Sequence, residues 1–373
     1  PPRSTPLYSS AASDVYKRQA SSNSRAHLKS QNWSPSDTIS LISFGALVRL
    51  HGAGLSCPDW PLCYGQLIPP PGFEIAMEVG HRFWATLLGV LIVLMTLLSF
   101  RIPAYRSFRL LKTACRILVK LQGILGALTV TMVLWPPVVT FHLIGGNLLF
   151  AMLVYLSWIS WNQDTIDSEQ MEGNASLQIP PLAKKMVWML AILFIIAASG
   201  GYNSSTYSGY ACEAFPGCHE GAALSFGLSG MELGETRLPE APAELQGRFL
   251  PVYANEWVHM LHRLIAIVGG TALIFMAWAW LVRNPLPALK KSGWWILILI
   301  PLEVLLGIAN ALLRIPIPLS SLHTALFATM VGILSYALVR AMHPMQAQVD
   351  QSRLIRLPQK AGKKEPQLEK IPA

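Results

Sequence analysis

Four histidines recur at matched positions in two halves of this chain. His142 follows His81 by 61 residues, and His323 follows His262 by the same 61 residues. Each lies near the start of a long apolar segment, where ionisable side chains are costly and usually functional. Two imidazoles that face each other at one depth on neighbouring helices are a common way to hold a haem iron. The duplicated spacing favours haem over histidines that merely bond to helix carbonyls, and over zinc, because no third or fourth ligand repeats in register.

A carboxylate accompanies only the first of these histidine pairs. Glu78 lies three residues before His81, so the two side chains share one helix face, whereas the equivalent residue in the second half is His259. This asymmetry indicates different jobs for the halves: a reactive site in the first and an electron carrier in the second. The alternative is a solvated glutamate at the membrane interface, favoured there by the helix dipole. Beside a haem ligand we favour the functional interpretation.

An arginine directly follows the first histidine of each pair, Arg82 in one half and Arg263 in the other. Two interpretations are equally compatible with the sequence. The guanidinium groups could pair with haem propionates, or they could extend to the membrane surface while their stems stay in the apolar layer.

Four of the five cysteines form two pairs with identical spacing, and Cys115 stands alone. Cys57 and Cys63 are separated by five residues, as are Cys212 and Cys218. In loops that face an oxidising compartment, one disulfide within each pair is the simplest assignment. A redox role for the thiols is the alternative, and it is weaker because the chain has no C-x-x-C motif.

The elements that position these residues are apolar segments long enough to cross a membrane. The chain is 52% hydrophobic and 13% charged, which is typical of a polytopic membrane protein. Its net charge of +9 lies mostly in short loops and tails, and no aromatic and basic groove pattern indicates a nucleic-acid partner. The sequence therefore predicts an all-α polytopic membrane protein with eight transmembrane helices. The predicted spans are 37–50, which is short, 77–100, 112–133, 139–161, 184–201, 256–282, 293–313 and 318–341.

Lysine and arginine predict the orientation of these spans. Basic residues cluster after the second, fourth and sixth spans and in the tail, whereas the alternate short loops contain few. The positive-inside rule therefore places both termini in the cytoplasm and the cysteine loops outside.

An internal repeat predicts how the spans are grouped. When Gly45 is aligned with Gly200, Cys57 and Cys63 fall on Cys212 and Cys218; Leu125-Gly126-Ala127 likewise falls on Leu306-Gly307-Ile308. Four spans per half make a parallel repeat of two pseudo-symmetric four-helix bundles. The predicted organisation is a disordered or non-native segment 1–36, bundles 37–161 and 184–341, a cytoplasmic linker 162–183, and a basic cytoplasmic tail 342–373.

At residues 41–341 the chain resembles the haem A synthases of cytochrome oxidase assembly. The resemblance is carried by Gly45-Ala46-Leu47-Val48-Arg49, Gly52 to Gly65 with Cys57-Pro58-Asp59-Trp60-Pro61-Leu62-Cys63, Glu78-x-x-His81-Arg82, Leu125 to Val130, and the three later histidines. The departures are the short first span, Ala53 where a serine is expected, and Glu303 where the first half has Gln122.

The resemblance implies an enzyme that oxidises the ring methyl group of haem o to the formyl group of haem A. It implies that His81 and His142 serve the substrate haem o, that Glu78 is catalytic, and that His262 and His323 bind haem b. Implied partners are membrane lipid, a haem o synthase and an electron donor, in a bacterial or mitochondrial inner membrane. A di-haem b electron carrier without hydroxylase activity is the first alternative, and a membrane transporter is the second.

Overall fold

The computed structural model describes residues 35–101, 109–162, 179–219 and 252–343, and the described chain is almost entirely helical. Most of the predicted terminal segments and linker lie outside these residues. A π-helical turn, Ala277–Val282, extends the sixth helix. The eight long helices are α1 (Pro35–Leu50), α2 (Phe73–Arg101), α3 (Arg109–Thr131), α4 (Pro136–Trp161), α5 (Pro181–Ser205), α6 (Val252–Met276), α7 (Pro287–Leu312) and α8 (Ile317–Met342).

Seven of these helices, α2 to α8, are long and apolar enough to cross a membrane. The predicted all-α polytopic membrane fold is therefore confirmed. The described part of α1 has 16 residues and spans about 24 Å at 1.5 Å per residue, less than the hydrocarbon layer. It begins at Pro35, so the last two residues of the segment predicted to be disordered or non-native are helical.

Several helices are longer than the apolar segments predicted. Pro136, Pro181 and Pro287 each occupy the first helical position, where the missing amide hydrogen and fixed φ angle of proline are well tolerated. The helix α5 does not end at Gly200 and Gly201, as the sequence suggests, but continues to Ser205.

The helices pack as two rings of four. In the first ring α1 and α3 each contact α2 and α4, and in the second α5 and α7 each contact α6 and α8. The rings meet where α1 and α4 pack against α8, and α4 packs against α5. At this interface the ring of Phe150 lies on Gly332, where an added Cβ would be 3.1 Å from Phe150 Cζ. The two rings therefore share a closely packed wall.

The internal repeat extends to the backbone of the turns. Val133 and Leu134, between α3 and α4, both have positive φ angles, and so do their equivalents Arg314 and Ile315 between α7 and α8. A non-glycine residue in this conformation costs roughly 1–2 kcal/mol, so two consecutive ones rarely occur by accident. Each turn is closed by the same hydrogen bond, Leu134 N to Thr129 O at 2.7 Å and Ile315 N to Asn310 O at 2.8 Å.

The outer surface of the helices is apolar. Along α2 alone, large hydrophobic side chains remain exposed: Leu87, Val90, Leu91, Leu94 and Leu97. An apolar stripe of this length is unfavourable in water and suits contact with lipid chains.

Candidate functional site

Each of the four histidines packs against a glycine of a neighbouring helix. An added Cβ at Gly45 would lie 2.9 Å from His81 Cε1 and 3.4 Å from its Nε2; at Gly200 the same two distances to His262 are again 2.9 and 3.4 Å. Any larger residue would push the imidazole away. The structure therefore places His81 and His262 in equivalent cradles, one in each ring of helices.

The partner histidines lie in similar but looser cradles. A Cβ at Gly126 would be 3.5 Å from His142 Cε1, and one at Gly307 would be 3.6 Å from His323 Cε1. His142 lies within electrostatic range of His81, and His323 within range of His262. The structure thus brings together both pairs that the 61-residue spacing predicts.

The four histidines have the properties expected of haem ligands. They are all half-buried, and 32% of the His323 side chain remains accessible. The Nδ1 atoms of His81 and His142 are buried without a hydrogen-bond partner in the described part of the chain. Open ring surface beside orphaned nitrogen atoms fits the insertion of a flat, iron-bearing group. Among the described residues, the group of three potential ligands that lies close enough for a simple metal ion is Cys218, His219 and Glu256, and Cys218 is in a disulfide.

Glu78 is buried and fully paired. Its Oε1 accepts a hydrogen bond from Arg82 Nη2 at 2.5 Å, and its Oε2 accepts one from the Cys57 backbone amide at 2.9 Å. Only 5% of its surface is exposed. The carboxylate is therefore not at a solvated interface, and it is held between its own helix and the first cysteine loop, one turn from His81. Its catalytic role stays a prediction.

Arg82 and Arg263 bind the cysteine loops in the same way. Arg82 Nη1 donates to the carbonyls of Asp59 and Leu62, both at 2.9 Å. Arg263 Nη1 donates to the equivalent carbonyls of Ala214 and Gly217, both at 2.8 Å. These contacts are additional to the two interpretations of the sequence, and a role at haem propionates stays a prediction. The arginines fasten each loop to the helix that carries the first histidine of the pair.

Both loops are closed by a disulfide. Cys57–Cys63 and Cys212–Cys218 are bonded, with S–S distances of 2.04 and 2.11 Å. Cys115 is unpaired and buried. In the first loop, the Asp59 carboxylate also accepts hydrogen bonds from the Tyr64 and Gly65 amides at 2.6 and 2.9 Å. Each loop is therefore closed by a covalent bond, and the first is further stiffened by Asp59.

In the second half the position of Glu78 is taken by a buried histidine. His259 is 5% exposed, and its Nδ1 has no hydrogen-bond partner among the described residues. Nearby, Ser208 Oγ donates to Asn255 Oδ1 at 2.7 Å. Among the described residues, no carboxylate bonds to Arg263 in the way that Glu78 bonds to Arg82.

Sequence reasoning missed two kinds of site residue. In the sequence, four glycines serve only as markers of the repeat, whereas in the structure their lack of a side chain makes room for the imidazoles. They are Gly45, Gly126, Gly200 and Gly307. Ser199, whose Oγ lies 2.9 Å from His262 Nδ1, was not singled out at all. Its signal is its place directly before Gly200, a position that is Phe44 in the first half.

Comparison with known proteins agrees with this geometry. The family of cytochrome oxidase assembly proteins matches at residues 37–78 and 72–335. A haem A synthase of Shewanella oneidensis is 30% identical over 314 residues, which cover 77% of this chain and 88% of that protein. The haem A synthase of Bacillus licheniformis is 26% identical over 79% of this chain and 89% of its own length. The haem A synthase of Geobacillus kaustophilus is 26% identical over 86% of this chain and 94% of its own length.

Proposed function

The chain belongs to the family of cytochrome oxidase assembly proteins, and we propose that it is a haem A synthase. It would oxidise the ring methyl group of haem o, by successive hydroxylations and loss of water, to the formyl group of haem A. The observation that carries this proposal is a duplicated histidine site with one functional difference. Two equivalent cradles hold imidazole pairs, and one turn before the first histidine of each pair stands a buried glutamate, Glu78, in one half and a buried histidine, His259, in the other. A di-haem electron carrier needs no such difference between its halves.

In this proposal the first ring binds the substrate. His81 and His142 hold haem o, and the Cys57–Cys63 loop covers it. Arg82 supports this arrangement because it fixes the loop carbonyls and the Glu78 carboxylate with one guanidinium group. A loop that is both disulfide-closed and bonded to α2 is suited to excluding water from the reacting methyl group.

The second ring would hold haem b between His262 and His323. Bound there, haem b supplies one-electron redox chemistry, while the protein supplies position and electrostatic field. Two of the helices that line this ring, α5 and α8, also form the wall shared with the first ring. This continuity supports electron transfer from the second site to the first.

Glu78 is proposed to move protons at the substrate methyl group or to stabilise positive charge on the reacting carbon. It lies one turn from His81 and is pre-oriented by two hydrogen bonds. Since both of its oxygen atoms already accept hydrogen bonds, it is poised to act as a fixed negative charge.

We further propose that both termini face the cytoplasm, or the matrix, and that the cysteine loops face the opposite side of the inner membrane. Three basic side chains lie over tryptophan rings: Arg283 over Trp278 at 3.6 Å, Lys185 over Trp280 at 5.2 Å and Arg340 over Trp158 at 5.5 Å. Such pairs are favoured at membrane interfaces, and excess basic charge favours the cytoplasmic one. A haem o synthase and a separate electron donor are the expected partners.

The test is pigment analysis in a bacterial strain that makes haem o but lacks its own haem A synthase. Expression of this chain is expected to produce haem A, and the purified protein to contain haem b. A His142→Ala variant is the control, because it should remove the substrate ligand and abolish haem A while leaving haem b in place. Purified wild-type protein that contains haem b while its host makes no haem A would favour the electron-carrier alternative.

A further inference from the structure

The two histidine pairs differ in what holds their Nδ1 atoms. In the second half, Ser199 Oγ lies 2.9 Å from His262 Nδ1 and also 2.9 Å from the carbonyl oxygen of Ile196. A hydroxyl group has one hydrogen, and the carbonyl can only accept it. When both contacts are hydrogen bonds, Ser199 donates to the carbonyl and accepts from His262, so that Nδ1 carries the proton and Nε2 presents a free electron pair.

The first half has no such acceptor at the equivalent position. Phe44 replaces Ser199, and its ring centroid lies 6.2 Å from that of His81. His81 Nδ1 is buried and has no hydrogen-bond partner among the described residues. The glycine cradle of His81 is the same as that of His262, with 2.9 Å from the added Cβ to Cε1. No neighbouring side chain, however, sets the tautomer of the His81 ring.

The second histidine of each pair shows the same difference. Glu303 Oε1 lies 3.3 Å from His323 Nδ1, and 14% of the glutamate side chain is exposed. The pair is within ion-pair distance, although neither His323 Nδ1 nor Glu303 Oε2 makes a hydrogen bond of good geometry to a described residue.

In the first half the side-chain amide of the equivalent residue, Gln122, makes no hydrogen bond to the histidine. Its amide fills the space above Gly145, where an added Cβ would meet Gln122 Nε2. His142 Nδ1 is left without a hydrogen-bond partner in the described residues. In the second half Leu326 takes the place of Gly145, so the same space is not open to Glu303. The two halves thus differ at both ligands in the same direction.

We propose that Ser199 and Glu303 are positioning residues that hold His262 and His323 with Nε2 toward the iron, which makes the second haem a permanent one. Phe44 and Gln122 provide no side-chain acceptor for Nδ1, so His81 and His142 are held less firmly, as a site requires that admits haem o and releases its product. The inference rests on the proposed function and deepens it. Partners of this kind typically change the affinity of a metal ligand by about 10–100-fold.

The experiment measures haem loss from the intact purified protein to an excess of apomyoglobin, with Ser199→Ala and Glu303→Gln as the test variants. Each is expected to lose haem b about 10-fold faster than the wild type or more. Glu303→Gln should also shift the midpoint potential of haem b to more positive values, because a nearby carboxylate stabilises the ferric state. Ser199→Thr, which retains the hydroxyl group, is expected to restore slow loss.

Ser335→Ala is the matched control. Ser335 is a buried serine of α8 that bonds to the carbonyl of Val331 at 2.7 Å, and its replacement should leave the rate of haem loss unchanged. In the wild type, haem o should leave faster than haem b. Loss rates for Ser199→Ala and Glu303→Gln equal to the wild-type rate would overturn the positioning role, and haem o retained as firmly as haem b would overturn the exchangeable first site. Neither result depends on haem A formation. The proposed function itself would be overturned by a wild-type protein whose second half binds no haem that is lost on replacement of His262 or His323.

Discussion

Replacement of Glu78 by glutamine separates the chemistry of this carboxylate from its shape. If Glu78 moves protons or stabilises charge at the substrate, Glu78→Gln should lower haem A formation by about 10²–10⁴-fold, the range for general acid–base groups. The variant should still bind haem b, whose proposed ligands His262 and His323 lie in the other ring of helices.

The structure also predicts a second cost of this substitution. Glu78 accepts one hydrogen bond from Arg82 and one from the Cys57 amide. A glutamine has only one oxygen, so its amide group must face one of the two donors. An unsatisfied buried donor costs about 1–3 kcal/mol, which would loosen the Cys57–Cys63 loop. Lost activity alone would therefore not identify a catalytic role.

Arg82→Gln supplies the matched control. It removes the two hydrogen bonds to the loop carbonyls of Asp59 and Leu62 and the one to Glu78, while the carboxylate itself and its hydrogen bond from the Cys57 amide remain. The assay is the ratio of haem A to haem o in extracted membranes, with haem b content as the measure of intact protein. We expect Arg82→Gln to retain a clear fraction of the activity and Glu78→Gln to retain almost none. Equal losses in the two variants would show that Glu78 acts as a loop anchor and would refute the catalytic assignment.

Three further predictions follow from the same contacts. Replacing His262 or His323 by alanine should remove the low-spin b-type signal in absorption and electron paramagnetic resonance spectra, and His259→Ala should retain it; haem b that persists in both ligand variants would contradict the assignment. Gly200→Ala should displace His262, because its Cβ would lie 2.9 Å from Cε1, and lower haem b content, whereas Gly123→Ala, with nothing within 4 Å, should not. Mass spectrometry of non-reduced peptides should find Cys57–Cys63 and Cys212–Cys218 intact in protein from oxidising conditions, and Cys57→Ser should destabilise its loop by about 2 kcal/mol as judged by proteolysis; free thiols at all four positions would contradict the pairing.

The sequence predicts the features that depend on spacing along the chain. Hydrophobic length marks the helices, and the 61-residue interval identifies His81, His142, His262 and His323 because a repeat keeps its register when its two halves diverge. The equal spacing of the cysteine pairs has the same origin. These features are local or periodic, so no knowledge of packing is needed to find them.

Packing decides the features that the sequence does not reveal. The direction of the Gln122 amide depends on the absence of a side chain at Gly145, a residue on another helix. Arg82 binds loop carbonyls because the loop folds back over its helix, which neither propensity nor charge predicts. The helix α5 continues past Gly200 because that glycine faces His262, and a tertiary contact outweighs the low helix propensity of glycine.

The duplication itself explains how one fold supports two tasks. The backbone and the glycine cradles are nearly identical in the two halves, so they would place a haem in the same way in each half. The polar neighbours differ: Glu78 against His259 beside the first histidine, Phe44 against Ser199 at its Nδ1, and Gln122 against Glu303 at the second histidine. Glu78 gives the first half an acid beside its first histidine, whereas Ser199 and Glu303 give the second half a side-chain acceptor beside each of its two histidines. Since a substrate must exchange and an electron carrier must not, the direction of each difference follows from the division of labour between the halves.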